Sequence, residues 1–292
     1  IARQKMLVHV RGIQAQYTGL KTRRSFTALH QIRVNSRRLC NAMWIFKDVL
    51  PKKDAKKIKG NIQQMARICS PARDLDVKIK YLNTYKNKVR RVGEREQILS
   101  FIRDLREGRK KLQPLILKSV SEFRKGQWLD VLKRLLIAAK KRNKFSSEER
   151  IFRTARKRFL KLTKDVLAFE SIVAQPSKVD ELHQMRIAIK HLRYSIELFQ
   201  PLYSKEINDY LTHILVYHRK LGDIHDYDVW QDQLKMLLTH GKIEREKRQA
   251  LMNLKKYFAA QRRKVYQDFL RTWGRDRRAR ILEDFMEYIY AF

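Results

Sequence analysis

The 292-residue chain is poor in the residues that interrupt helices, with 9 glycines and 5 prolines. Leu, Lys, Arg, Ile and Ala fill the intervals, so long helices joined by short connections are expected and the fold class reads as all-α. Cysteine is almost absent. Cys40 and Cys69 stand alone with no Cys-x-x-Cys spacing, which excludes a disulfide framework and points to a reducing compartment, the cytoplasm rather than export. No apolar run approaches the roughly 20 residues of a membrane span, and the cluster Leu135 to Ala139 ends at once in lysines and an arginine. No membrane role is expected. The chain also lacks Gly-x-x-x-x-Gly-Lys-Ser/Thr, Gly-x-Gly-x-x-Gly and His-Glu-x-x-His, so a bound phosphate must be held by side chains rather than by a backbone cradle.

Acidic residues are few as well: 30 Asp+Glu face 67 Lys+Arg, a formal net charge of +37. Self-repulsion on that scale is tolerable only with an anionic partner or when spread over much surface, and the partner classes it names are nucleic acid, anionic membrane or a phosphate polymer. With 43% hydrophobic residues the chain is nevertheless a folded protein with a sizeable core.

Read in order, residues 1 to about 20 form a docking helix stopped at Gly19. A second helix runs from Ser25 or Thr27 to Leu50 and ends at Pro51. Asp54 to Cys69 is lysine-rich and then apolar, and Ser70-Pro71 reads as an N-cap and first-turn pair opening a new helix with Arg73, Asp74 and Asp76. Helical pattern continues from Glu94 to Glu170 with breaks near Gly108, Pro114 and Gly126. Its last helix, about 147 to 169, carries Arg153, Arg156, Lys157 and Arg158. Gln175-Pro176-Ser177 is the clearest boundary, and the pattern restarts beyond it.

The restart is a repeat. His30-Gln31-Ile32-Arg33-Val34 matches His183-Gln184-Met185-Arg186-Ile187 at an offset of 153, and Arg73-Asp74-Leu75-Asp76-Val77 matches His225-Asp226-Tyr227-Asp228-Val229 at 152. Arg67 and Arg219 stand 152 apart, Phe46 and Phe199 153 apart. Anchors tens of residues from one another keep nearly one register, so two homologous helical bundles are expected, residues 1–174 and 177–292, about a pseudo-two-fold axis. The basic aromatic stretch Tyr257 to Phe269 reads as the counterpart of the helix bearing Arg153 and Arg156.

On a helix the spacing has a chemical meaning. At about 100° per residue His183, Arg186, Lys190 and Arg193 fall in one sector, with Met185, Ile189, Leu192, Ile196 and Phe199 opposite. The earlier copy sets His30, Arg33, Arg37 and Arg38 against Ile32, Leu39, Met43 and Phe46. Arginine forks, a lysine charge and a histidine that becomes a cation below about 6.5 suit phosphate oxygens, so binding is expected to tighten as pH falls. On a single helix such charges would read as a solvated face; their recurrence at one offset favours a binding strip. Asp74, Asp76, Asp226 and Asp228 are read as orienting nearby arginines rather than as metal ligands, because a site crowded with cations is a poor home for another. Trp44, Trp128, Trp230 and Trp273 are read as core, and His191, His213, His218 and His240 as surface or core-edge residues.

Two copies of His-x-x-Arg-(x)₃-Arg/Lys, each followed by Arg/His-Asp-x-Asp-Val, resemble the CHAD domain, the conserved histidine α-helical domain, over residues 1 to about 290. The resemblance implies two helical bundles with a basic central channel and non-catalytic binding of inorganic polyphosphate, with targeting to polyphosphate granules. No cofactor and no metal are implied. Carried onto this chain, the binding positions are His30, Arg33, Arg37, Arg38, His183, Arg186, Lys190 and Arg193, with Arg67, Arg73 and Arg219 as neighbours. Cys40 stands where the second copy has Arg193, and His225 where the first has Arg73, so unequal contributions are expected. No stretch reads as the β-stranded triphosphate-tunnel domain that accompanies many relatives, so a stand-alone binding module is expected. The competing readings are a nucleic-acid-binding protein, which charge permits, and a metal-assisted phosphohydrolase or phosphotransferase using His30 or His183.

Overall fold

A computed structural model describes residues 2–22, 25–47, 50–141, 148–240 and 243–291; every regular element among them is a helix. They form two compact units, Ile1–Ser147 and Glu148–Phe292. The division falls ahead of the Gln175-Pro176-Ser177 break because the helix preceding that break packs with the elements that follow it.

The first unit contains α1 (Ala2–Leu20), α2 (Ser25–Ile45), α3 (Lys52–Lys86), α4 (Val92–Lys111), α5 (Gln113–Lys125) and α6 (Trp128–Lys141). Met6, Val10, Ile13 and Leu20 recur at helical spacing on α1 and are buried, as are Leu29, Ile32 and Leu39 on α2. The two helices pack closely at Gly12, where an added Cβ would lie 2.8 Å from Oδ1 of Asn35. Asn35 is itself held by the His9 ring, Nδ1 to Oδ1 3.0 Å.

Two expected interruptions do not occur. Ser70-Pro71 opens no helix; Pro71 lies inside the 35-residue α3. Met65, Cys69, Ala72 and Asp76 continue one buried stripe through the proline, and that packing outweighs the missing hydrogen bond to the Arg67 carbonyl. Pro71→Ala is therefore expected to stabilise the protein by about 2 kcal/mol, the restored bond being offset in part by a freer unfolded chain, as read from chemical denaturation. Gly108 likewise sits within α4, whereas chain breaks do fall beside Pro114 and at Gly126, which caps α5 before Gln127 takes a left-handed φ of 49°.

The second unit contains α7 (Glu148–Leu167), the short α8 (Glu170–Val173), α9 (Val179–Phe199), a 3-10 turn at Gln200–Leu202, α10 (Ile207–His240), α11 (Arg245–Arg278) and α12 (Ile281–Ala291). Helix α9 packs on α7 and α10, α10 on α11, and α12 on α7. Aromatic rings fill much of this core: Phe159 lies 5.8 Å from Phe199 and 5.6 Å from Phe285 between ring centres. Trp128, Trp230 and Trp273 are buried in their units; Trp44 is half-buried.

One polar network appears in both units. In the first, Arg109 of α4 donates from Nε to Oδ1 of Asp76 on α3 at 3.1 Å and from Nη1 to Gln113, whose amide donates to the Leu20 carbonyl at the end of α1. In the second, Arg262 of α11 donates from Nε to Oδ1 of Asp228 on α10 at 2.5 Å and from Nη2 to the Pro176 carbonyl, while the Tyr266 hydroxyl donates to the Val173 carbonyl at 2.6 Å. Arg262, Tyr266 and Val173 each follow Arg109, Gln113 and Leu20 by 153 residues. By its partner, then, α11 takes the place of α4, and α7 packs on α9 as α1 packs on α2. That corrects the sequence expectation pairing α11 with α7; likeness of composition misleads where buried contacts decide. Burial pushes the carboxyls of Asp76 and Asp228 up, against the pull of their arginines.

Candidate functional site

In the first unit α2 presents its basic face along α3. Ile32 and Leu39 point inward, which fixes the rotation of α2 and leaves His30 and Arg37 exposed, with Arg33 and Arg38 half-buried. Arg33 donates from Nη1 to the Ser70 hydroxyl, which in turn donates to the Ala66 carbonyl at 2.8 Å. The serine expected to cap a helix instead orients the strip's central arginine. The Arg73 guanidinium lies over the Phe26 ring, 4.8 Å from its centre. His30, Arg33, Arg37 and Arg73 share one electrostatic neighbourhood. Burial lowers the basicity of His30, and Arg73, Arg37 and Arg33 lower it further. Burial and Arg37 do the same for Arg33, against the pull of Asp74.

The second unit repeats the set on α9 and α10 with histidine in place of one arginine. His183 and His225 meet Nδ1 to Nδ1 at 3.1 Å with ring centres 4.2 Å apart, so the N–H of one ring donates a hydrogen bond to the bare nitrogen of the other. Burial lowers the His225 pKa to about 4, helped by Arg186 and His183. His183 is lowered by burial, Arg186 and Lys190, against the pull of Asp180. Arg186 lies against Gly222 of α10, its Nε 3.7 Å from the position of an added Cβ, an ordinary contact distance.

The histidines therefore charge below the ordinary imidazole value of about 6.5 that the sequence suggests, His225 furthest; burial and adjacent cations favour their neutral form in the free protein. Since unfolding restores the ordinary value, the unfolded chain binds more protons between about 4 and 6.5, and stability falls as pH drops through that window. A denaturation series from neutral pH to about 4 should show this decline, and His225→Gln should reduce it.

Other expected site residues are placed differently. Arg193 is engaged within its own unit, donating from Nε to Glu197 at 2.8 Å and meeting the His218 ring at 3.2 Å through Nη1. Arg67 and Arg219 are exposed and sit about 120° around their helices from Arg73 and His225. Asp76 and Asp228 hold Arg109 and Arg262 rather than strip arginines, while Asp74 faces Arg33 and Lys78 electrostatically. Asp226 is half-buried beside Tyr227. Sequence reasoning missed the Ser70 contact, and it left His191 outside the strip, though Lys190 and Arg158 of α7 depress its pKa after burial. No group of three or more metal-ligating side chains occurs among the described residues.

The sequence profile of the CHAD domain matches residues 6–235, most of the chain. The chain belongs to the CHAD family. The CHAD strips of α2 and α9 both lie within the matched span. A comparison with curated protein sequences gives no match. Among solved structures the fold is similar to the CHAD domain from the plant Ricinus communis, at 20% identity and a TM-score of 0.69, covering 100% of this chain and 92% of that one. It is also similar to PptA from Streptomyces chartreusis, at 14% identity and a TM-score of 0.66, covering 93% of this chain and 99% of that one. No described helix is long and apolar enough to cross a membrane.

Proposed function

We propose that this CHAD protein binds inorganic polyphosphate, without catalysis, through two internally duplicated strips: His30, Arg33, Arg37 and Arg73 on α2 and α3, and His183, Arg186, Lys190 and His225 on α9 and α10. The observation that carries the reading is the recurrence of this cation cluster at an offset of 152 to 153 together with the Arg-Asp network beneath it. Membership in a family associated with polyphosphate binding supports it. Each histidine sits among cations that reduce its basicity, the reverse of what a general base working near neutral pH requires, so the histidines serve as hydrogen-bond donors to phosphate oxygens. A cytoplasmic site of action, at polyphosphate granules, goes with this reading.

Calorimetric titration with polyphosphates of graded length, repeated at rising salt, tests it. Binding should strengthen with chain length, and log K should fall linearly with log salt. Weak, length-independent binding, or displacement of polyphosphate by DNA or RNA at matched phosphate concentration, overturns it. An anion beside His225 must also raise that ring's pKa, so affinity should increase as pH falls from the liganded pKa towards about 4. In NMR titrations the His225 midpoint should move upward when polyphosphate is added.

A further inference from the structure

The strips leave most of the charge unexplained, since the eleven binding positions read from the sequence include nine of the 67 lysines and arginines. A second ordered set lies on the outer sides of α4 and α11. On α4, Arg95, Leu99, Arg103, Arg106 and Lys110 are all exposed and fall within about 80° of arc. On α11, Arg248, Met252, Lys256 and Arg263 are exposed on one side in the same way. Four positions correspond at one offset: Arg248, Met252, Lys256 and Arg263 each follow Arg95, Leu99, Arg103 and Lys110 by 153 residues. In each unit the row is a line of cations about 22 Å long with one aliphatic residue between them.

Several exposed cations elsewhere are paired, and those of the two rows are not. Arg153, Lys161, Arg271 and Arg280 each pair with a carboxylate three to seven residues away. None of Arg95, Arg103, Arg106, Lys110, Arg248, Lys256 and Arg263 forms an ion pair among the described residues. On α4 Glu107 stands one turn from Arg103 and Lys110 without pairing with either among the described residues, Asp104 lies on the opposite side of the helix, and α11 has no acid between Glu246 and Asp268. Like charges in a helical row destabilise one another, and a polyanion laid along the row would reverse that.

We propose that the outer rows of α4 and α11 are each, within their own unit, a further phosphate-polymer binding surface, separate from the α2 and α9 strips, making the protein multivalent toward long polyphosphate. The ligand class rests on the reading above; the separateness rests on the rows themselves. A straight row one side chain wide suits a linear chain of phosphates. It contains no aromatic platform on which unpaired bases would stack, and a duplex carries its phosphates on two curved strands. Leu99 or Met252 alone is too little apolar surface for membrane insertion.

The test compares wild type with the variant Arg95→Gln, Arg103→Gln, Lys110→Gln, Arg248→Gln, Lys256→Gln and Arg263→Gln. Tripolyphosphate probes the strips, and long-chain polyphosphate probes strips and rows together. The variant should bind tripolyphosphate within about twofold of wild type, show a salt slope for the long chain shallower by about 0.7 for each phosphate no longer held, and fail to give the light scattering of cross-linked assemblies. Unchanged slope and scattering would sink the proposal, as would a drop in tripolyphosphate affinity in a folded variant, since the rows would then belong to the strip site. Long-chain polyphosphate binding unchanged in a variant that no longer binds duplex DNA would assign the rows to nucleic acid and overturn the choice of ligand. Failure of the polyphosphate reading itself shows separately, as absent tripolyphosphate binding by wild type.

Discussion

Replacing Arg33 and Arg186 together with alanine is expected to weaken polyphosphate binding by at least about a hundredfold while leaving helicity unchanged. A hydrogen bond to a charged group is worth about 1.5–3 kcal/mol and about 1.4 kcal/mol is a factor of ten, so removing two such bonds weakens binding by that factor or more. The two arginines are at the centre of their strips: Arg33 is oriented by Ser70, and Arg186 lies against Gly222 and beside His225. Their removal should also flatten the salt slope by about 0.7–0.9 per phosphate released. The lysine versions separate charge from geometry, because lysine keeps the charge but not the planar fork; partial recovery would indicate point-charge attraction and little recovery would indicate bidentate binding. Calorimetry beside circular dichroism decides the matter, and a collapsed helical signal would make these residues structural. Arg67→Ala with Arg219→Ala, at exposed positions one turn from Ser70 and Gly222 and with no hydrogen bond to the strips among the described residues, should have a several-fold smaller effect.

The second large effect concerns stability. Asp76→Ala should cost about 3–5 kcal/mol in denaturant unfolding, because it strands the buried Arg109 guanidinium, and Asp228→Ala somewhat less, because Arg262 is half-buried. The same burial that raises both carboxyl pKa values means that the ionised pair is not itself a large net gain. Exchanging Asp76 and Arg109 together for apolar residues of similar volume should therefore cost much less than either single change. Asp74→Ala, at an exposed position of the same helical turn, should change stability by no more than about 0.5 kcal/mol. Equal destabilisation at Asp74 and Asp76 would refute the assignment of the two aspartates to different tasks. The pair also explains how the strips hold their shape: α3 carries Arg73 on the strip side and Asp76 on the α4 side, so the buried ion pair sets the rotation at which Arg73 is presented.

Much of this is legible in the chain. The apolar stripes of α2 and α9 follow from helical period alone, which specifies the buried side; Ile32, Leu39, Met185, Ile189 and Leu192 are all in the core. Arg109 and Arg262 keep the offset of the strips and so leave a trace in the sequence, but an isolated arginine in a chain with 67 cations carries no local mark. Ser70-Pro71 misleads for the opposite reason. Its local signal is strong, and only the buried stripe on both sides of it shows that the helix continues.

The sequence by itself determined the all-helical class, the two registers of His, Arg and Asp, and the cationic composition that demands an anion, because each depends on residue type and spacing along one chain. Tertiary structure alone decided which cations stand free. Arg193 is drawn to Glu197 and His218, Asp76 and Asp228 are assigned to arginines outside the strips, and the rows on α4 and α11 form no ion pair among the described residues. Tertiary structure also set the histidine charge, since burial and the arginines crowded against His30, His183 and His225 are products of packing. Pairing and desolvation depend on which helices meet, and composition and spacing do not encode that directly.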